Sequence, residues 1–500
     1  MQTITKDKFL KLKSGTDVRG VAVETKTEKI ELTDEVVQSI CIGFVRWYRD
    51  KFNKQDLKIA VGHDSRISAE RIKNAALNAF LGEGVHVYDC GLATTPSMFM
   101  SIVMGIKADA SLEITASHHP YQRNGLKFFT PNGGLEGSDV SEILNAAYDI
   151  KSSQQCGTLE KYDLMSAYAE HLRNTIINEA GNGNRPLSGL KISVDAGNGT
   201  AGFYAFDVLE PLGADVSGSQ FTDPDGMFPN HIPNPENSVA IASACEMVKK
   251  TNSDFGLIFD TDADRMGCVD SSGREINRNR LVALASVIAL EGNPGGTVVT
   301  DSLTSDGLRE FIEKHLGGRQ VRFKRGYKNV IDKSIELNNK GINSPLAIET
   351  SGHAALKENY FLDDGAYLAT KIVILLAKLN SEGKKIDDLI CDLKEPDESV
   401  EVRIPILLDD FREYGEKVIA DLKEYFSAKE GYTFEQVNYE GVRFNISGGW
   451  FLLRLSVHDP ILPLNIESDT IGKVKPVAAD IKNFLSGYDK LDISDFDKVL

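Results

Sequence analysis

Four stretches of this chain share one design, an apolar, β-branched run that ends in an aspartate and a polar loop. They are LKIAVGHDSR (57–66), LKISVDAGNG (190–199), FGLIFDTDAD (255–264) and GTVVTDSLTS (296–305). Short apolar runs bounded by turn residues read as buried strands. Amphipathic helical segments alternate with them over the first three-quarters of the chain, the pattern of α/β layers. With 500 residues to place, the repetition argues for three related α/β domains rather than one long sheet. In such sheets, functional side chains gather in loops at the carboxyl ends of the strands. The four aspartates fall there.

The stretch DIKSSQQCGTLEKYD (149–163) reads as a linker leading to a helix, and DLKEPDESV near 390 breaks the alternation. The expected division is 1–155, 156–274 and 275–390 as α/β domains, with 391–500 as a domain of another type. That last part has a strand near 400–406 and a helix near 409–427. Strand-like runs follow at 433–437, 442–457 and 461–467, then a helix near 472–485, so it is α+β.

Composition removes several classes of function. A net charge of −17 disfavours non-specific binding to nucleic acid or anionic membrane. An anionic substrate would need a local basic cluster. The longest apolar run, LVALASVIAL from Leu281, is too short for a membrane span, and the first residues lack the apolar core of a secretory signal. A cytoplasmic protein is the expectation. The six cysteines never form C-x-x-C, which argues against a disulfide framework or a zinc cluster.

Four motifs could carry chemistry. ASLEITASHHPYQRNGLKFF (110–129) is a strand that delivers Ser117, His118 and His119 into a loop followed by Asn124 and Lys127. A serine hydroxyl is a weak nucleophile without neighbouring groups that activate it. In the second motif, Asp260, Asp262 and Asp264 alternate, so an extended loop would turn all three carboxylates one way. Two carboxylates about 5 Å apart repel by roughly 3 kcal/mol at an effective dielectric near 20, so three together call for a dication. Oxygen-only ligands select Mg²⁺ or another hard ion. An EF-hand fails because Arg265 replaces the required glycine and Ser271 the terminal glutamate. A phosphatase-like element with Asp260 as nucleophile fits the same spacing. In the third motif, Glu349, Ser351 and His353 alternate, and a carboxylate with a hydroxyl suits sugar hydroxyls. In the fourth, Arg454, Ser456 and His458 alternate at a strand end, a set suited to phosphate. A formal dinucleotide fingerprint at Gly197, Gly199 and Gly202 reads instead as a tight turn that packs helix on strand.

Taken in order, the four motifs resemble the α-D-phosphohexomutases, most closely the phosphomannomutase/phosphoglucomutase branch. SGTDVRG (14–20), VGHDSRIS (61–68), DPDGMFPNHIPNPE (223–236) and FKRGYKN (323–329) are similar too, and the resemblance runs from about Gly15 to the C-terminus. It implies three similar α/β domains and a fourth, TATA-box-binding-protein-like domain around a central cleft. It implies that Ser117 is carried as phosphoserine and exchanges phosphoryl groups with a hexose phosphate substrate through a glucose or mannose 1,6-bisphosphate. One Mg²⁺ would be held by Asp260, Asp262, Asp264 and Ser117. Arg19, Lys127 and Arg265 would add positive charge, and His118 would support the serine loop. Lys324 and His353 would transfer protons. Glu349 and Ser351 would bind sugar hydroxyls, while Arg454, Ser456 and His458 would hold the non-reacting phosphate. A monomer or homodimer, with no nucleic-acid or membrane partner, is expected.

Two departures stand out. His119 occupies a position where the family often has asparagine. The phosphate loop, R-x-S-G-T-E-P in the family, is Arg454-Leu-Ser-Val457-His458-Asp459-Pro460 here. Val457 removes backbone freedom and leaves the preferred sugar open, amino sugars included. A phosphosugar-binding regulator without turnover, and a metal-dependent hydrolase using Asp260, are the competing readings.

Overall fold

In the computed structural model, which describes residues 4–181, 183–456 and 459–500, each of the four Asp-terminated runs is a strand. The chain divides into two compact units. One contains the residues up to Asn277 together with Ser351–Asp388, the other Arg278–Thr350 and Leu389–Leu500.

The first unit holds two sheets. In the larger, Ala110–Ile114, Lys58–His63, His86–Leu92 and Thr158–Lys161 run parallel in that order, and Arg123–Thr130 and Asp17–Val21 extend it with antiparallel pairing. The segment expected as a linker thus contributes an edge strand, Thr158–Lys161. Its four residues are exposed, so no apolar alternation marks it in the sequence. Three helices, Asp34–Phe52, Ala69–Gly82 and Gly137–Ala147, bury Phe44, Phe80 and Ile143 against Ile59, Leu112 and Phe128. Thr33 caps the first of them by accepting from the Val36 amide, and Asn53 ends it in the left-handed region.

The second sheet has the order Glu275–Ile276, Met266–Asp270, Phe255–Phe259, Ile192–Asp195. Only the last two strands are parallel; Phe255–Phe259 and Met266–Asp270 form a hairpin. The aspartate motif is therefore a hairpin loop, Asp260–Arg265. The glycine-rich stretch after Ile192–Asp195 packs against it. A Cβ on Gly199 would lie 2.6 Å from the Thr261 carbonyl oxygen, and Thr200 donates to that oxygen from its amide and its hydroxyl. Those glycines bring two loops into backbone contact.

In the second unit, Arg319–Arg322, Thr297–Thr300 and Leu346–Ile348 are parallel neighbours. The C-terminal part is α+β, as expected. Glu398–Pro405, Ile461–Ser468, Gly449–Leu453, Val442–Ile446 and Thr433–Phe434 form one antiparallel sheet in that order. Helices Arg412–Ser427 and Val474–Leu485 share its core through Val418, Leu422, Phe426, Ile481 and Leu485. The run expected as one strand over 442–457 is two, joined by a turn at Ser447-Gly448. The serine-glycine pair was the available signal, masked by apolar residues on both sides. Among the described residues, no helix is long and apolar enough to cross a membrane.

Candidate active site

Ser117 follows strand Ala110–Ile114 in the left-handed region, with φ of 50°, and is buried. A non-glycine residue holds that conformation only when its surroundings enforce it. Arg66 does so. Its guanidinium donates to the carbonyls of Ser117, His119 (2.7 Å), Pro120 (2.8 Å) and Arg123 (3.1 Å), and its Nε pairs with Asp64 at 3.1 Å. One buried cation thus gathers the carbonyls of the serine loop.

The serine hydroxyl meets the aspartate hairpin. Ser117 Oγ lies 3.3 Å from Asp260 Oδ2 and 3.1 Å from His118 Nδ1, two acceptors for its single proton. Arg265 Nη2 donates to His118 Nδ1 at 2.6 Å and to Ser117 Oγ at 3.4 Å. An imidazole nitrogen that accepts from a guanidinium is unprotonated. In agreement, burial, then the charge of Arg265, drives His118 well below its ordinary pKa. His118 therefore stays neutral beside the serine. His119 stacks on it with ring centroids 5.3 Å apart, and burial and Arg19 hold His119 down to about 4.

Asp260, Asp262 and Asp264 each place a carboxylate oxygen within 4.8 Å of the others, and all three are buried. Extended alternation is not the cause. The loop turns, with Ala263 at φ 59°, Asp260 N donating to Arg265 O and Arg265 N donating to Asp260 Oδ1. Hairpin closure, rather than strand periodicity, converges the carboxylates. Neighbouring groups then fix each one. Asp260 accepts from Arg265 Nε at 3.0 Å, Asp262 from the Thr95 hydroxyl at 2.5 Å and Asp264 from Lys127 Nζ at 2.9 Å. Thr95 is placed by its helix, Thr95–Val103, where Thr94 and Ser97 form a reciprocal cap.

These donors leave the cluster short of positive charge. Burial and the neighbouring carboxylates push Asp260 well above the usual carboxylate range, and Asp262 upward as well. Burial pushes Asp264 the same way, but Lys127, His353 and Arg265 outweigh it and hold Asp264 low. Asp262 Oδ1 and Asp264 Oδ1 have no hydrogen-bond partner among the described residues. Orphaned, buried, mutually repelling oxygens are what a hard dication repairs, so the residues fit such an ion. Asp260, by contrast, has both oxygens engaged, a poor state for an attacking nucleophile.

His353 forms an isolated bridge with Arg265, and its Nδ1 lies 2.6 Å from Asp363 Oδ2 and 3.9 Å from Asp264 Oδ1. Burial lowers its pKa, but Asp363 and Asp264 more than compensate and raise it to about 9. Ser351, also in the first unit, has a buried hydroxyl without a hydrogen-bond partner among the described residues. Arg19 lies on strand Asp17–Val21 and pairs with Asp17 at 3.0 Å.

Glu349, Lys324, Arg454 and Ser456 belong to the second unit. The expected alternation of Glu349 with Ser351 and His353 is interrupted by a turn at 350–352 that puts Gly352 at φ 94°. Glu349 accepts from the Gly326 amide at 2.6 Å, next to exposed Lys324. Arg454 is buried, with no hydrogen-bond partner for Nε among the described residues, and Asp459 N donates to Ser456 Oγ at 3.3 Å. His458 lies outside the described residues.

Arg66 and Asp363 were missed as individual residues. VGHDSRIS marked the first only as a family-like stretch; the DD pair of FLDDG was the only trace of the second.

Comparison with known proteins bears on this geometry. The family descriptions "phosphoglucomutase/phosphomannomutase, alpha/beta/alpha domain" I, II and III match residues 11–155, 166–273 and 277–395 respectively. This chain belongs to the phosphoglucomutase/phosphomannomutase family. Within that family, it is 30% identical over 464 residues to a phosphomannomutase/phosphoglucomutase of Pseudomonas syringae pv. tomato, covering 92% of each chain. It is 31% identical to a phosphoglucomutase/phosphomannomutase of Thermococcus kodakarensis, over 92% of this chain and 94% of the relative. A crystal structure of a family protein from Burkholderia thailandensis superposes with a TM-score of 0.80 at 26% identity, covering 97% of this chain and 98% of that one. In fold alone, the chain is also similar to pp63/parafusin from Paramecium, with a TM-score of 0.71 at 16% identity, over 97% and 95% of the two chains. In all three family domains, a strand-end loop carries one of the motifs read from the sequence.

Proposed function

We propose that this protein is a phosphohexomutase that interconverts hexose 1-phosphate and hexose 6-phosphate, with mannose or glucose as the sugar. The observation that carries the reading is the meeting of buried Ser117 with the Asp260–Arg265 hairpin, 3.3 Å from a carboxylate and 3.4 Å from a guanidinium. Ser117 carries the phosphoryl group. In the forward step, its O–P bond breaks as a sugar oxygen bonds to phosphorus, and the hydroxyl proton leaves to a base. The resulting 1,6-bisphosphate turns over and returns its other phosphoryl group to Ser117. Such transfer depends mainly on positioning and charge. Arg265 and Lys127 supply fixed positive charge, with Arg19 adding to it, and neutral His118 orients the serine loop. His353 and Lys324 handle the hydroxyl proton.

Asp260, Asp262 and Asp264, with a phosphoserine oxygen, are the residues that would hold one Mg²⁺, which supplies charge neutralisation to the transferring group. Glu349 and Ser351 bind sugar hydroxyls and Arg454, Ser456 and His458 the resting phosphate. A grip on those groups alone leaves C2 unread, so both epimers are accepted. The same reading makes residues 1–155, 156–274, 275–390 and 391–500 four domains of a cytoplasmic monomer or homodimer.

A phosphorus NMR time course tests this. With Mg²⁺ and a trace of glucose 1,6-bisphosphate, glucose 1-phosphate or mannose 1-phosphate is expected to convert to its 6-phosphate without free phosphate. Release of inorganic phosphate would mean a hydrolase. No change with either sugar would overturn the glucose/mannose assignment.

A further inference from the structure

Glu440 belongs to no motif singled out in the sequence, yet it contacts three residues of the second unit, one of which, Arg454, the functional reading uses. Its Oε2 accepts from Ser302 Oγ at 2.6 Å and from the backbone amide of Arg325 at 3.0 Å. Its Oε1 lies 3.9 Å from Arg454 Nη1. Ser302 stands two residues beyond strand Thr297–Thr300, and Arg325 is the residue after Lys324. The next amide, Gly326 N, donates to Glu349. Two consecutive amides of one loop thus each hold a carboxylate: Glu349, which the proposed reading assigns to sugar, and Glu440, which faces Arg454.

The backbone supports the same contact. Gly441 has φ of 55°, and a Cβ there would lie 2.2 Å from the Leu453 carbonyl and 2.9 Å from Arg454 Cβ. Only glycine lets residues 440–441 press on the strand end that carries Arg454. Side chain and backbone therefore both tie Glu440 to that arginine.

We infer that Glu440 is a positioning residue that couples the sugar grip to the phosphate grip, fixing the Lys324–Gly326 loop and Arg454 as one piece. The inference rests on the proposed mutase reading. A substrate that is released as bisphosphate, turned and recaptured needs a constant spacing between the two grips. A carboxylate suits the task because one oxygen satisfies the loop while the other faces the guanidinium.

The test compares Glu440→Ala and Glu440→Gln with wild type, folding being checked by circular dichroism. Gln keeps an oxygen for Ser302 and Arg325 but places no charge before Arg454. Glu440→Ala is expected to raise KM for hexose 1-phosphate about tenfold, the size of one charge-assisted hydrogen bond, and to move kcat at saturation less than about threefold. It should also need more added bisphosphate for full activity, because intermediate escapes. Glu440→Gln should fall between. Hydrogen exchange of the Arg325 amide gives a readout that does not depend on activity, and should accelerate in the alanine variant only. Wild-type KM and wild-type exchange in Glu440→Ala would overturn the inference, as would a loss confined to kcat. If wild type converts no hexose phosphate, the functional reading fails, while the exchange measurement still decides the clamp. If the alanine variant does not fold, Ser302→Ala and Glu440→Gln carry the KM test.

Discussion

The serine loop with its aspartate hairpin, and the phosphate loop at 454–460, are both strand-end loops that hold an arginine. They are built in opposite ways. In the first, Asp260, Thr261 and Asp262 are wholly buried, and a hairpin, a capped helix, a glycine-mediated backbone contact and the Arg66 clamp all fix one geometry. In the second, Asp459 and Pro460 are exposed, and the described ends of the loop are held by backbone hydrogen bonds, among them Arg454 N to Pro463 O, Ser456 N to Ile461 O and Ile406 N to Pro460 O. A transferring phosphoryl group needs charges in place before it arrives, whereas a resting phosphate needs only to be held. Two of the departures from the family's usual residues, Val457 and His458, belong to the second loop.

Four measurements would break or sharpen that contrast. Ser117→Ala should lower mutase turnover by more than about 10³-fold with the fold intact, because the proposed reading makes its Oγ the atom that carries the phosphoryl group. Turnover within tenfold of wild type would remove the serine from the chemistry. Next, Arg66→Met should destabilise the protein by about 3–5 kcal/mol in urea titration, since Asp64 is left as a buried charge without its partner. A change under about 1 kcal/mol would mean that the serine loop is not held by Arg66. Arg454→Lys should be milder. KM should rise about tenfold and kcat should stay within about threefold, as a planar fork is replaced by a point charge. A larger fall in kcat than in affinity would erase the distinction between transferring and resting phosphate.

The smallest effect concerns the support beneath the hairpin. His231 Nε2 lies 3.1 Å from both oxygens of buried Asp195, and its Nδ1 lies 3.0 Å from the Ile232 carbonyl. Burial lowers its pKa, but the hydrogen bond and charge of Asp195 prevail and raise it. Folding therefore favours the protonated ring. That stability is fully present below the ordinary histidine value of about 6.5 and is lost as pH rises through the higher folded value. Melting temperatures of wild type and His231→Asn should accordingly converge as pH increases from 6 to 9. A gap that widens with pH would contradict the charged pair.

The sequence carried the strands that end in Asp64, Asp195, Asp260 and Asp301, because burial on both faces writes a continuous apolar run. It also offered Ser117, the three aspartates and Arg454 as candidates, because chemistry restricts residue type, and Ser117 and the aspartates meet in the structure. The exposed edge strand Thr158–Lys161 left no such mark, and the hairpin at Ser447-Gly448 was hidden by its apolar flanks. Arg66, Asp363 and Glu440 were illegible as site residues for another reason. Each acts on a site residue 10 or more positions away, Ser117, His353 and Arg454 respectively, and a charged residue in a polar loop looks the same whether it is solvated or clamped.

What the sequence by itself determined is the layer architecture, the order of the loops and the residue types that the functional reading assigns to phosphate. Periodicity and residue chemistry are local properties. Tertiary structure alone decided which carboxylates share a charge, which histidine is neutral and which is protonated, and what enforces the left-handed serine. Those are set by burial and by distances of a few ångströms between residues far apart in the chain, since electrostatic energy depends on separation in space and on the surrounding dielectric.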